Sequence, residues 1–177
     1  DILENIIEKS IRSGLQFNFL VMGKGNYEVT RGLTLLQQSI PDRFQYIPDM
    51  DESLAHKLFA ATDFYLMPSK EEPCGLGQLY SLQYGTIPIV SNVGGLENTV
   101  KNFEEKDGYG IKFSYFSLDD ILFSLGKAEK IYLDKGLVNV LRKRMMNLDF
   151  SWTNQTKQYI NLYQELTLNQ KMLWKLI

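Results

Sequence analysis

The chain has 177 residues, of which 44% are hydrophobic and 23% are charged, with a formal net charge of −2. This composition is typical of one soluble globular domain, and no apolar run approaches the roughly 20 residues of a membrane span. With no secretory signal either, we expect a cytoplasmic protein (plastidial in a plant) with no membrane partner. One Cys and one His exclude a disulfide framework and disfavour a metal site. The charge balance disfavours nucleic acid.

Apolar periodicity and turn residues predict helices that alternate with short strands over most of the chain. The first helix ends at Gly14, and the helix that follows the "EPCGL" stretch covers residues 76–84 and ends at Gly85. From residue 118 onward the pattern predicts only helices. The predicted strands lie within residues 17–23, 44–50, 64–69, 87–91 and 108–113.

Alternation of this kind predicts an α/β fold, a doubly wound parallel sheet with helices on both faces. Runs such as "FNFLVM" and "PIV" lack polar alternation, as expected for strands buried on both sides. Ligands bind such folds at the carboxyl ends of the strands. Three polar or glycine-rich loops are expected there, at residues 23–25, 69–77 and 92–96.

The stretch Glu72-Pro-Cys-Gly-Leu-Gly77 has the composition of a ligand-binding turn before a helix. Pro73 keeps Glu72 out of helical geometry, and glycines permit close approach of a ligand to the backbone. The unpaired N–H groups at the following helix start favour a phosphate or diphosphate. A carboxylate beside them suits sugar hydroxyls, so a nucleotide sugar is one interpretation. A turn that merely caps the helix is the other, and spacing alone does not separate the two.

Other candidate residues have simpler explanations. The Gly23-Lys24-Gly25 segment is more typical of a plain turn, and Gly94-Gly95 of a tight turn after a strand. His56 lies in an amphipathic segment and is more typical of a surface or packing histidine. Cys74 has no histidine nearby in sequence to activate it as a nucleophile.

The segment "PSKEEPCGLGQLYSLQYGTIPIVSNVGGLENTV" closely resembles bacterial glycogen synthases and plant starch synthases over about thirty consecutive positions. The resemblance implies a retaining glycosyltransferase with two Rossmann-like domains facing across a cleft, the GT-B fold. Residues 1–177 would be its C-terminal, nucleotide-sugar-binding domain, truncated at the N-terminus. The implied reaction transfers glucose from ADP-glucose or UDP-glucose to an α-1,4-glucan acceptor. No metal or other cofactor is implied.

The resemblance also implies roles for individual residues. Glu72 would bind the hydroxyls of the donor glucose. Backbone N–H groups would bind the sugar at Cys74 and Gly75, and the phosphates at Leu76 and Gly77. Tyr80 stands where broader families carry a second Glu, which favours the glycogen and starch synthase branch. The remaining implied contacts are Met50 against the base and Gly94, Gly95 and Leu96 along the far wall.

Several departures from the family pattern leave the donor nucleotide open. Gly77 replaces a Thr, and Met50 replaces a Tyr that stacks on adenine. The resemblance also implies that the Arg and Lys of the diphosphate clamp, a central strand and the whole N-terminal domain belong upstream of residue 1. We therefore expect this chain alone to be inactive. Another retaining GT-B transferase, of the sucrose-synthase or cell-wall type, and a non-catalytic nucleotide-sugar-binding domain are the alternatives.

Overall fold

The computed structural model describes residues 2–173, with side chains described through residue 167. Helices and strands alternate up to residue 113, and helices alone follow. The described strands are β1 Phe19–Met22, β2 Phe44–Ile47, β3 Phe64–Met67, β4 Ile87–Ser91 and β5 Ile111–Phe113. The described helices are α1 Ile2–Arg12, α2 Tyr27–Ser39, α3 Glu52–Ala61, α4 Gly77–Tyr84, α5 Gly94–Thr99, α6 Leu118–Leu133, α7 Lys135–Met146 and α8 Trp152–Leu173.

All strand pairs are parallel, which confirms the predicted α/β class. The strands form two sheets, one of β1 and β2 and one in the order β3-β4-β5. In the first sheet Phe19 lies opposite Phe44, and in the second Phe64 lies opposite Ile87. Every residue of β4 is buried, as the unbroken apolar run of this segment predicted.

The sequence predicted one sheet, whereas β1 and β3 do not pair with each other. Residues of both strands line a cavity of about 1200 Å³. Within the described residues β1 pairs only with β2, and β3 only with β4, so each strand has one edge without a partner strand. An unpaired strand edge exposes a row of N–H and C=O groups that can pair with a further strand.

Two apolar clusters form under the two sheets. Beside β1 and β2, the cluster has Ile7, Leu33, Phe44 and Tyr46 at its centre, so α1 and α2 are packed against this sheet. Beside β4, the helix α5 contributes Leu96, which packs with Val90 and Val100. The second cluster anchors one of the predicted ligand loops to the sheet.

Helix α5 begins at Gly94, where the sequence favoured a tight turn. The helix is only six residues long and starts with two glycines, which have low helix propensity. Burial of Leu96 against the sheet stabilises it instead. Helix α4, by contrast, ends as predicted at Gly85, which adopts a left-handed conformation with φ of 75°.

The chain divides into two compact units, Asp1–Asn147 and Leu148–Ile177. The second unit consists mainly of α8 and exposes several of its apolar side chains, among them Trp152 and Tyr163. None of the helices described within residues 2–173 combines the length and the hydropathy that crossing a bilayer requires.

Two glycine-to-alanine replacements should have opposite effects on stability. Gly85→Ala should lower the free energy of unfolding by about 1–2 kcal/mol, because a residue with a Cβ resists left-handed geometry. The added Cβ would also lie 3.1 Å from Met146 Sδ. Gly126 lies in the middle of α6, where a Cβ would meet nothing within 4 Å. Gly126→Ala should therefore raise the free energy of unfolding by about 0.5–1 kcal/mol. Urea unfolding measures both, and equal effects would contradict this account.

Candidate donor site

The loop between β3 and α4, residues 68–76, is here called the Glu72 loop. Ser69 Oγ donates a hydrogen bond of 3.3 Å to Glu72 Oε2, which orients the carboxylate. Pro73 turns the chain, and Gly75 adopts a φ of 70° that favours glycine. The half-buried Glu72 side chain thus lies at the carboxyl end of β3, where the sequence predicted it.

The backbone N–H groups from Cys74 to Gly77 have no acceptor among the described residues. Leu76 is the N-cap of α4, and no side chain caps the helix. Four successive donors therefore remain unpaired at the positive end of a helix dipole, a geometry that attracts anions. The sequence predicted unpaired N–H groups at this helix start, and the resemblance assigned those of Cys74 and Gly75 to the sugar and those of Leu76 and Gly77 to the phosphates.

Gly94 and Gly95 pack directly against the Glu72 loop. The Gly95 N–H donates a 2.8 Å hydrogen bond to the backbone oxygen of Glu72. A Cβ on Gly94 would collide with that oxygen, and a Cβ on Gly95 would collide with the carbonyl oxygen of Cys74. The absence of a Cβ atom at these two positions therefore allows the two backbone segments to approach each other closely.

The resemblance implied that Gly94, Gly95 and Leu96 line the far wall of the site. Only part of this segment is available to a ligand. The Leu96 side chain is fully buried in the cluster beneath β4, and the Gly95 N–H is already paired. The contribution of this segment is therefore to support the Glu72 loop, with the Leu96 side chain directed into the core.

Met50 lies at a different edge of the fold, beside the loop after β1. It is two-thirds exposed, and a Cβ on Gly23 would lie 3.8 Å from its sulfur. Lys24 Nζ lies 3.1 Å from Asp49 Oδ1, which also accepts the Met50 N–H. The Met50 N–H, and then Lys24, lower the pKa of Asp49. The ends of β1 and β2 are thus tied together next to Met50.

Tyr80 lies on α4 within a group of aromatic rings. Its ring centroid lies 5.2 Å from that of His56, and 6.0 Å from that of Phe59. His56 Nδ1 also lies 3.1 Å from the Tyr84 hydroxyl. His56 is therefore a packing residue between α3 and α4, as its position in the sequence suggested.

The cavity between the two sheets connects some of these residues. Met50, Gly77 and Tyr80 line it, together with the aromatic rings of α3. Glu72 and Cys74 belong to the adjoining loop and do not line it. Within residues 2–173, no three His, Cys, Asp or Glu side chains are grouped so that they could hold a metal ion.

Tyr65 is a residue that the sequence analysis missed. Its hydroxyl occupies the space where a Cβ on Gly77 would lie, and its ring packs edge-on against Phe59. Burial, and then the nearby Glu72 carboxylate, raises the pKa of Tyr65, so the phenol remains protonated at neutral pH. The period-2 pattern of β3 could have placed it on the same face as Met67, but not beside Gly77.

The family model for glycosyl transferases group 1 matches residues 3–121. The glycogen synthase of Flavobacterium johnsoniae is 41% identical over 156 residues, covering 88% of this chain and 33% of the relative. That of Kosmotoga olearia is 39% identical over 168 residues, covering 94% and 35%. The catalytic domain of Starch Synthase IV from Arabidopsis thaliana, solved with ADP and acarbose, superimposes with a TM-score of 0.81 at 25% identity, covering 93% of this chain and 35% of that structure.

The parallel α/β fold is thus shared with the catalytic domain of a starch synthase, and the fold is that of a glycosyltransferase domain. The chain belongs to the glycosyl transferases group 1 family. The resemblance to glycogen and starch synthases is confirmed by these relatives. The chain spans about one third of the length of the curated relatives that it matches.

Restoring the family's Thr at Gly77 should be unfavourable in this chain. In Gly77→Thr the new side chain collides with Tyr65, and such overpacking costs about 1–3 kcal/mol of unfolding free energy. Adding Tyr65→Leu, which shortens the opposing side chain, should recover part of that loss, so the two changes should be non-additive. Urea unfolding of the single and double variants tests this. Strict additivity would contradict the contact between Tyr65 and Gly77.

Proposed function

We propose that this chain is the donor-binding domain of a retaining glucosyltransferase of the glycogen and starch synthase type. The donor would be ADP-glucose or UDP-glucose, and the acceptor an α-1,4-glucan. The observation that carries the proposal is the row of unpaired amides from Cys74 to Gly77 beside the oriented carboxylate of Glu72. The names of the similar proteins, glycogen synthase and a starch synthase solved with ADP and acarbose, support the choice of substrates.

The amides of Leu76 and Gly77 would bind the diphosphate, which becomes more negative as the bond to glucose breaks. Donors that are already oriented toward a developing charge stabilise a transition state without reorganising. In this assignment Leu76 and Gly77 offer their N–H groups to the phosphates, and Cys74 and Gly75 offer theirs to the sugar. No metal or other cofactor is required in this scheme, because amides and basic side chains from elsewhere in the protein neutralise the charge.

Glu72 would recognise the donor sugar through its hydroxyl groups. A carboxylate accepts hydrogen bonds and cannot bind a phosphate favourably, so its place beside the amides divides the site into a sugar part and a phosphate part. Met50, exposed at the ends of β1 and β2, would cover one face of the base with its polarizable sulfur.

The remaining parts of the active site would come from a longer protein. Its relatives are about three times as long as this chain. The cavity between β1 and β3, where each strand has one edge unpaired within residues 2–173, has the position and the apolar lining that a further parallel strand requires. We infer that an upstream strand completes the sheet there, and that an N-terminal domain supplies the acceptor side of the cleft.

Glu72→Ala in the full-length protein should weaken binding of the nucleotide sugar more than binding of the bare nucleotide. Losing hydrogen bonds to a charged group costs about 1.5–3 kcal/mol, or roughly 10–150-fold in Kd. Titration calorimetry with ADP-glucose and with ADP measures the difference. Glu71→Ala is the matched control, since Glu71 is an adjacent, exposed carboxylate, and it should change neither affinity. Equal losses for both ligands would contradict the sugar role of Glu72.

This chain alone should transfer no glucose, whereas the full-length protein should. The reason is that acceptor and diphosphate-clamp groups would lie outside residues 1–177. Incorporation of labelled glucose from ADP-glucose or UDP-glucose into glycogen, measured for both proteins, is the test. Robust turnover by the isolated chain would show that it holds a complete active site.

A further inference from the structure

Gln78 is the one glutamine whose side chain is completely buried among the described residues. It lies on the first turn of α4, directly behind the Glu72 loop. Its Nε2 lies within hydrogen-bonding distance of three acceptors, the carbonyl oxygens of Cys74 at 3.1 Å and Gly75 at 3.0 Å and the Thr99 hydroxyl at 3.1 Å. A buried side-chain amide that contacts two carbonyl groups of one loop strongly constrains the geometry of that loop.

The two carbonyls determine where the neighbouring amides point. In a trans peptide the C=O of one residue is antiparallel to the N–H of the next. Because Gln78 draws the carbonyls of Cys74 and Gly75 inward, the N–H groups of Gly75 and Leu76 are directed away from the Gln78 side chain. These are two of the amides that have no acceptor among residues 2–173.

Thr99 connects the hydrogen bonds of Gln78 to the Gly94-Gly95 segment. Its hydroxyl donates a 2.6 Å hydrogen bond to the carbonyl of Gly95 and lies within reach of the Gln78 amide. Gly95 in turn donates to the carbonyl of Glu72. The hydrogen bonds therefore pass from Gln78 through Thr99 and Gly95 back to the Glu72 loop, which they hold at Glu72, Cys74 and Gly75.

The environment of the Gln78 Oε1 atom favours a positioning role over ordinary packing. Its Oε1 is buried and has no partner within the described residues. This oxygen lies over Gly75, where a Cβ would collide with it. A buried unpaired acceptor disfavours folding, so a side chain chosen only to fill this space would be apolar. The Nε2 contacts are what an apolar side chain could not supply.

We propose that Gln78 is a positioning residue, which together with Thr99 directs the N–H groups of Gly75 and Leu76 toward the donor. The proposal rests on the proposed function, because the donor is the nucleotide sugar assigned there. Gln78 acts through the Glu72 loop and touches no substrate. Its loss should therefore lower kcat more than it raises KM for the donor.

The test uses the full-length protein with Gln78→Met, which keeps the length and removes the amide, and Thr99→Val, which keeps the shape and removes the hydroxyl. We expect Gln78→Met to lower kcat by about 10²-fold, the effect of misdirecting a preorganised donor. Thr99→Val should lower kcat less than Gln78→Met does. Thr99→Ser, which retains the hydroxyl, should keep kcat near the wild-type value. Leu33→Ala, in the core beside β2, is the control that lowers Tm with kcat unchanged.

A second readout does not depend on activity. Hydrogen exchange at the Gly95 amide, followed by mass spectrometry, should accelerate in Gln78→Met and Thr99→Val but not in Leu33→Ala. The proposal is overturned if both variants keep kcat within about twofold of wild type while losing Tm like the control. If the wild-type protein transfers no sugar, the proposed function fails. The exchange rates still decide the positioning role, because unchanged exchange in both variants contradicts it.

Discussion

The close approach of two backbones, Gly94-Gly95 against Glu72 and Cys74, is the constraint on which the candidate site depends. A side chain at either glycine would separate the loops, and the hydrogen bond from Gly95 to Glu72 would be lost. With the loops in contact, the Glu72 loop has a fixed path into α4. The unpaired amides and the carboxylate then occupy defined positions in the free protein, which would lower the entropic cost of binding the proposed donor.

The fold provides this constraint through its two short connections. The Glu72 loop follows β3 and the Gly94-Gly95 segment follows β4, and these strands are parallel neighbours. Their carboxyl ends therefore place the two loops side by side. Leu96 anchors the second loop in the core, so burial of an apolar side chain stabilises a segment whose glycines contribute little by themselves.

Much of the fold and part of the site could be predicted from the sequence. The strands were visible as apolar runs, and the limits of α4 followed from Gly85 and from the turn at Pro73. The unpaired N–H groups at the start of α4 could be expected from the sequence, because an uncapped helix start leaves its first N–H groups without an intrahelical acceptor. Tyr65 escaped notice, since its contact with Gly77 joins two elements that no local pattern relates.

The sequence by itself determined the α/β class, most of the helices and strands and the family, because these depend on residues close together in the chain. Tertiary structure decided which groups support the Glu72 loop. The hydrogen bond from Gly95 to the Glu72 carbonyl and the contact between Gln78 and Thr99 each join residues about twenty positions apart in the sequence. Periodicity describes the face that a residue occupies, whereas packing determines what lies opposite it.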